Sequence, residues 1–334
     1  MRKFKIKAIL ISIILIIISV FFVMYSQVVN NPLKAEEDIT IEIKEGDTFY
    51  GILDSLSQEN LIRGVPFIKL YIMISGIEVD VKPGNHNVGK DIKLKTLIEN
   101  LNEEQIDYIT FTVPEGYTIE DIAKKLDDEN IVTKEEFITA VKNYELPSYV
   151  KENSNKRYNL EGYLFPDTYN LKKEYKAEDI IKIMIERFEV ALSTAVSETS
   201  VDINSEDIEE IITIASIIEK EAVLNEERKT ISSVIQNRIK SDMMLQIDAT
   251  VIYSLGEHVE HVLYEHLEVD SPYNTYKYYG LPVGPISNPG LESIIAAITP
   301  EETDYLFYVL QDDSSHYFTD NYDDFLNKQY ELGY

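Results

Sequence analysis

Two glutamates, Glu219 and Glu221, close a run of eight uncharged residues from Ile211 to Ile218. A carboxyl at the rim of an apolar helix is poorly solvated, so its pKa rises and it can hold a proton near neutral pH. The chemistry this offers is general acid catalysis. Residues two apart on a helix point to nearly opposite faces, so one site cannot use both alike. Glu221 follows Ile214, Ile217 and Ile218 at helical spacing, and Glu219 follows Ile212, Ala215 and Ser216. Periodicity does not choose between them, and acids at a helix end are more often simply solvated.

Other stretches carry groups suited to a sugar. Leu160-Glu-Gly-Tyr-Leu-Phe-Pro-Asp-Thr-Tyr-Asn170 packs aromatics and acids into one turn-rich segment. Tyr163 and Phe165 there can offer apolar platforms to sugar rings, or can belong to a packed core. Gln236, Asn237 and Arg238 end one helix. Gln246, Asp248 and Thr250 alternate along what reads as an extended segment, which places them on one face. They can line a cleft or form a buried polar network. Asn274 and Tyr276 stand in Ser271-Pro-Tyr-Asn-Thr-Tyr276, before the Gly- and Pro-rich loop 280–290. His258, Glu260, His261, Glu265 and His266 cluster in sequence, but their spacing fits no metal-binding pattern, so a solvated loop is expected and no metal or cofactor.

The elements that must position these groups follow from local pattern. Residues 211–222 read as a buried central helix, since apolar residues occur all round its wheel. Residues 133–143 and 177–197 read as amphipathic helices, 291–299 as a short helix, and 305–310 with 316–319 as a hairpin. Nearer the N-terminus the chain repeats at an offset of 70: Ile39-Thr-Ile-Glu-Ile-Lys-Glu-Gly-Asp-Thr48 matches Ile109-Thr-Phe-Thr-Val-Pro-Glu-Gly-Tyr-Thr118, and the match runs on to Asn60 and Asn130. Each copy predicts a strand, a turn, a Thr cap and a helix. The first copy resembles a LysM module, a βααβ unit that often binds N-acetylglucosamine polymers, with its second strand at 84–88.

The uncharged run 8–25 spans about 27 Å as a helix, close to a bilayer core. The four bases before it, Arg2, Lys3, Lys5 and Lys7, favour a cytoplasmic N-terminus. A cleaved signal peptide is the rival reading, but no small-residue cleavage site follows. Residues 1–7 then form a cytoplasmic tail, 8–25 a transmembrane helix, 26–38 a linker, 39–108 a LysM-like domain and 109–334 a catalytic domain. The chain carries 59 acids against 31 bases, a net charge of -28. A phosphate-binding face needs clustered bases, so no nucleic acid is expected. Without cysteine there is no disulfide or thiol nucleophile.

In order along the chain, Leu160-Glu-Gly-Tyr-Leu-Phe-Pro-Asp-Thr-Tyr, Ala215-Ser-Ile-Ile-Glu-Lys-Glu, Gln236-Asn-Arg, Leu245-Gln-Ile-Asp-Ala-Thr-Val-Ile-Tyr, Tyr273-Asn-Thr-Tyr and Gly280-Leu-Pro-Val-Gly-Pro-Ile resemble the MltG/YceG-like family of endolytic murein transglycosylases. The resemblance covers nearly the whole chain. It implies an α+β fold with one membrane helix, LysM-like βα modules and a mixed α+β catalytic domain. It implies a membrane-anchored enzyme that cuts nascent peptidoglycan outside the cytoplasm, between N-acetylmuramic acid and N-acetylglucosamine. The second Glu of the Glu-x-Glu pair, Glu221, is then the catalytic acid, and the product ends in a 1,6-anhydro ring. Expected substrate contacts are Glu161, Glu219, Gln236, Asn237, Gln246, Asp248 and Asn274 as polar groups, with Tyr163, Phe165 and Tyr276 stacking on sugars. Penicillin-binding proteins are implied partners. Two other functions compete: an anchored wall-binding scaffold without catalysis, and water-based cleavage by a muramidase.

Overall fold

The computed structural model describes residues 2–105, 108–256, 259, 262–312 and 314–333. The chain falls into two compact units, residues 1–107 and 108–334. Among the described residues six strands form three two-stranded antiparallel sheets, and helices supply most of the rest, a mixed α+β architecture.

The first unit runs α1 (Arg2–Asn30), β1 (Ile39–Ile43), α2 (Phe49–Gln58), α3 (Val65–Ser75), β2 (Gly84–Val88) and α4 (Leu94–Asn102). β1 alternates, sending Ile41 and Ile43 inward, and pairs with β2 from Ile39↔Val88 to Ile43↔Gly84. Thr48 caps α2 by accepting from the Gly51 amide at 3.2 Å. Phe49, Ile52, Leu53 and Leu56 give α2 one buried face. His86 is buried on β2, with its ring nitrogens 2.8 Å from the Asn100 and Lys82 carbonyls.

α1 is longer at both ends than the expected 8–25 helix and takes in the start of the expected 26–38 linker. Its stretch Lys5–Asn30 is long and apolar enough to cross a membrane, and the helix continues unbroken through Asn30. Val28 and Leu33 are 4% and 1% exposed within the first unit's core. Leu33 bridges to Ile62, and its carbonyl accepts twice from Arg63, at 3.0 and 2.5 Å. Residues 26–33 are thus pinned to this core: their apolar side chains bury well there, and the backbone finds partners.

The second unit begins with the repeat. β3 (Tyr108–Thr112), α5 (Ile119–Asp128), α6 (Lys134–Asn143) and β4 (Thr168–Lys172) follow the same strand–helix–helix–strand order. Thr118 and Asp121 form a capping box on α5. Asn60 and Asn130, equivalent in the two copies, both end the first helix in a left-handed turn, with φ of 59° and 56°, a conformation asparagine tolerates. β4 pairs with β3 from Tyr108↔Lys172 to Thr112↔Thr168.

Next come α7 (Ala177–Thr199), α8 (Ile208–Glu221), a 3₁₀ turn at Asn225–Glu227, α9 (Arg228–Lys240), α10 (Asp248–Leu255), α11 (Tyr264–Leu267), α12 (Leu291–Ile298), β5 (Phe307–Leu310), β6 (His316–Thr319) and α13 (Tyr322–Leu332). On α8, Ile212, Thr213, Ile214, Ala215, Ser216, Ile217 and Ile218 are all buried, against α12, α9 and α10. Loop 280–290 lies on the middle of this helix. The Ile286 amide donates to Ser216 Oγ at 3.0 Å, and Ser287 Oγ donates to the Ser216 carbonyl at 3.2 Å. Against the same loop, Gly162 has φ +92° and sits so near Pro285 and Ile212 that a Cβ would meet them at 2.7 and 2.8 Å.

Candidate active site

α8 delivers its two terminal carboxylates to different surroundings. Glu219 turns toward α12. Its Oε2 accepts from the Gly290 amide at 3.0 Å and from Ser293 Oγ at 2.8 Å, at the N-terminus of α12, where a negative charge is favoured. Arg228 reaches it as well, with Nη1 3.3 Å from Oε2; both side chains are nearly covered. Glu115 fills the space beside Gly290, leaving no room there for a side chain. Burial and the nearby Glu219 raise the Glu115 pKa. Glu219 therefore knots α8, α9 and α12 together.

Glu221 meets different groups. Tyr308 Oη donates to Glu221 Oε2 at 2.8 Å. Burial raises the Glu221 pKa above the ordinary carboxylate value; the charge of Asp248 adds to the rise, while the Tyr308 hydrogen bond and His316 oppose it. The residue as a whole is half-buried. On a neighbouring element Tyr276 Oη donates to Asp248 Oδ1 at 2.6 Å. Tyr276 also feels the Glu221 charge, which helps burial and Asp248 raise its pKa.

The hairpin β5–β6 carries Tyr308 to this point and is held from three sides. Glu227 takes the His316 amide at 2.9 Å and faces its Nδ1 at 2.7 Å. Arg238 donates to the Leu306 carbonyl at 2.6 Å and to the Leu245 carbonyl at 2.7 Å. Burial lowers the Arg238 pKa. Asn237 Nδ2 donates to the Thr303 and Tyr305 carbonyls at 2.7 and 3.1 Å. Sequence reasoning did not single out Tyr308, His316 or Glu227. Tyr308 stands 87 residues from Glu221, and alternation along a short strand was the sole local signal of its direction.

Several residues expected to touch substrate lie elsewhere. Glu161 is fully covered: Oε1 accepts from the Ile119 amide at 3.0 Å and from Asn288 Nδ2 at 3.2 Å, and Oε2 from Tyr253 Oη at 2.9 Å. Burial outweighs these donors and pushes its pKa up to about 8. Tyr163 is wholly buried and packs edge-on against Phe188 at 5.2 Å. Phe165 is covered by the Arg187 guanidinium, 4.7 Å above its ring. A buried ring gains more from packing than from water, so neither presents a sugar platform here. Asn274 is buried too, donating to the Leu267 and Val269 carbonyls at 2.8 and 2.9 Å. Asn237 serves the hairpin, and Glu219 the knot described above.

Gln246 and Asp248 remain accessible, and Tyr276 and Gln236 partly so. The extended segment expected around them is instead a helix start. Asp248 opens α10, where an acid suits the helix dipole. Gln246 takes φ 51°, and Thr250 turns inward to the Ile247 carbonyl and Thr275 Oγ1 at 2.6 and 2.8 Å. Gln236 and Asn237 line a cavity of about 670 Å³ with Ser233, Lys240 and residues 299–304. Glu221 does not line that cavity, so the chemistry of the carboxyl, not cavity size, locates the site. In the histidine-rich loop His266 Nδ1 accepts from the Leu263 amide at 3.1 Å, a helix-end contact; His258, Glu260 and His261 lie outside the described residues.

The chain has counterparts among known proteins. A relative in Bacillus subtilis (strain 168), named endolytic murein transglycosylase, is 34% identical over 312 residues, covering 89% of this chain and 86% of its own. One of the same name in Streptococcus pneumoniae (strain D39) is 30% identical over 320 residues; the match takes in 87% of this chain and 58% of that longer protein. The crystal structure of a yceG-like protein from Listeria monocytogenes aligns with TM-score 0.59 at 31% identity, over 88% of this chain and 99% of the other. The YceG-like family profile matches residues 41–331. On sequence and on fold alike, the chain belongs to the YceG-like family.

Proposed function

We propose that this chain is a membrane-anchored endolytic murein transglycosylase that cuts peptidoglycan strands by acid–base catalysis at Glu221. The observation that carries the reading is the Glu221 carboxyl, whose pKa burial raises and whose Oε2 accepts from Tyr308, on a half-buried residue at the end of α8. The names of the relatives agree with it.

The protonated Glu221 donates to the glycosidic oxygen between N-acetylmuramic acid and N-acetylglucosamine, and the C1–O bond breaks. Tyr308, donating to Oε2, steadies the carboxylate that remains. That carboxylate takes the proton of the muramyl C6 hydroxyl, whose oxygen closes on C1. The product is a 1,6-anhydro end, no water is consumed, and Glu221 is protonated again. Asp248, Tyr276 and Gln246 are the accessible groups nearest in role to sugar contacts. α1 serves as the anchor, with the bases before it inside and the rest of the chain outside. The strand–helix–helix–strand module at the start of the ectodomain is a LysM-like unit that grips glycan, and penicillin-binding proteins that extend the strand are the fitting partners.

Water-based cleavage is the second reading. It has one observation in its favour: Asp248 stands close enough to Glu221 to raise its pKa, and hydrolysis of such bonds uses two carboxylates. One assay separates these readings. The full chain in detergent is incubated with uncrosslinked glycan, and new ends are read by mass spectrometry. Anhydro ends, abolished in Glu221→Gln with its fold retained, are expected. Reducing ends would replace the ring-closing step by hydrolysis. Intact strands bound by the protein would leave a scaffold.

A further inference from the structure

Helix α3 is apolar on both sides. Ile68 is fully buried in the first unit's core, yet Met73 and Ile74 are 73% and 68% exposed. Lys69 is the single charge in its eleven residues. A helix apolar all round is normally covered, and eleven residues, about 16 Å, are too few to cross a bilayer.

The start of α3 is tied to the helix that spans. Gly64, left-handed at the head of α3, sits so close to Val28 that a Cβ would meet its side chain at 2.5 Å. Three residues later the Phe67 ring lies 5.3 Å from Phe21 and 6.3 Å from Tyr25. The chain therefore steps down α1, from the level of Val28 to that of Phe21. With Lys7 at the inner boundary, a rise of about 1.5 Å per residue puts Tyr25 about 27 Å along, near the outer edge of the hydrocarbon. Phe21 is then about 6 Å inside that edge, the depth to which an interfacial helix sinks its apolar side. Tyr50 lies half exposed beside α3, with Lys69 Nζ 5.3 Å from its ring centroid. An aromatic ring and a long basic side chain suit the headgroup level.

We propose that α3 enters the outer leaflet as a second membrane contact, with Met73 and Ile74 against phospholipid chains. This rests on the reading of α1 as an anchor and is independent of the catalytic reading.

The chain has no cysteine, so single substitutions can be labelled cleanly. Met73→Cys and Ile74→Cys would carry an environment-sensitive fluorophore in the full chain, in phosphatidylethanolamine–phosphatidylglycerol vesicles with or without brominated acyl chains. Ile16→Cys reports the anchor, and Val190→Cys, 58% exposed in the second unit, reports water. The expected result is blue-shifted emission at 73 and 74 relative to 190, with loss of emission in brominated vesicles as at 16. Quenching at 16 with positions 73 and 74 behaving like 190 overturns the proposal and leaves the anchor standing. A blue shift at 73 and 74 without quenching means protein covers them, which also overturns it. No quenching at 16 removes the anchor and the proposal together.

Discussion

At the scale of single residues, the two glutamates of α8 should fail differently when changed. Glu219→Gln leaves Arg228 nearly covered and without its charge partner. Breaking a buried pair from one side costs about 3 kcal/mol or more, so thermal unfolding of this variant should shift down while any residual protein keeps its cleavage chemistry. Tyr308→Phe should instead spare stability and alter the pH profile. The Tyr308 hydrogen bond lowers the Glu221 pKa against the effect of burial, so its loss raises that pKa. A general acid works while protonated and fails as pH rises through its pKa, so the alkaline limb of the rate profile should move to higher pH. A hydrogen bond to a charged group is worth about 1.5–3 kcal/mol, so the maximal rate should fall about tenfold to a hundredfold. An unmoved limb would detach Tyr308 from the acid. The Glu-x-Glu pair was visible in the sequence, but its division of labour was not. That division depends on Gly290, Ser293 and Tyr308, which reach α8 across long stretches of chain.

At the scale of elements, local signals were the readable ones. Thr48, Thr118, Asn60 and Asn130 mark the repeat because caps and left-handed turns act within a few residues. The hairpin of β5 and β6 was legible from alternation for the same reason. The strand β4 was not, since its partner β3 lies about sixty residues upstream and pairing at that distance leaves no local trace. Residue type also misled. Glu161, Tyr163, Phe165 and Asn274 have the chemistry of a sugar site, yet all four are interior, and type alone does not tell a satisfied core group from a ligand contact. Asn288 ties down the turn that holds Glu161 and Tyr163. Its Oδ1 accepts from the Gly162 and Leu164 amides at 3.0 and 2.9 Å, and its Nδ2 donates to the Tyr117 carbonyl at 2.9 Å as well as to Glu161. This predicts a pH effect on the element as a whole. The folded-state pKa of Glu161 is raised from 4.5 to about 8, so folding favours its protonated form. The stability that form contributes is complete below about pH 4.5 and is lost as pH rises through about 8. At about 1.4 kcal/mol per unit, the loss amounts to a few kcal/mol. Glu161→Gln, neutral throughout, should flatten denaturation midpoints across that window; an unchanged slope would assign the pH dependence to other groups.

At the scale of the whole molecule, the start of the first folded unit is set by packing. A soluble form starting at residue 39 discards Val28 and Leu33, both buried in the first unit. Each fully buried aliphatic side chain is worth about 1.5–3 kcal/mol, so this form should melt its first unit well below one that starts at residue 26. Calorimetry on the two lengths checks it, and equal melting would mean that the end of α1 adds nothing to that core.

The unbroken passage of α1 into the first unit has a mechanical outcome. A flexible tether would let that unit swivel above the lipid; a continuous helix that ends inside its core makes the two a single lever. With α1 as the proposed membrane anchor, a bilayer thicker or thinner than it prefers is answered by tilting the helix, and the first unit must lean with it. Lipid thickness would then be felt by that unit as a change of angle.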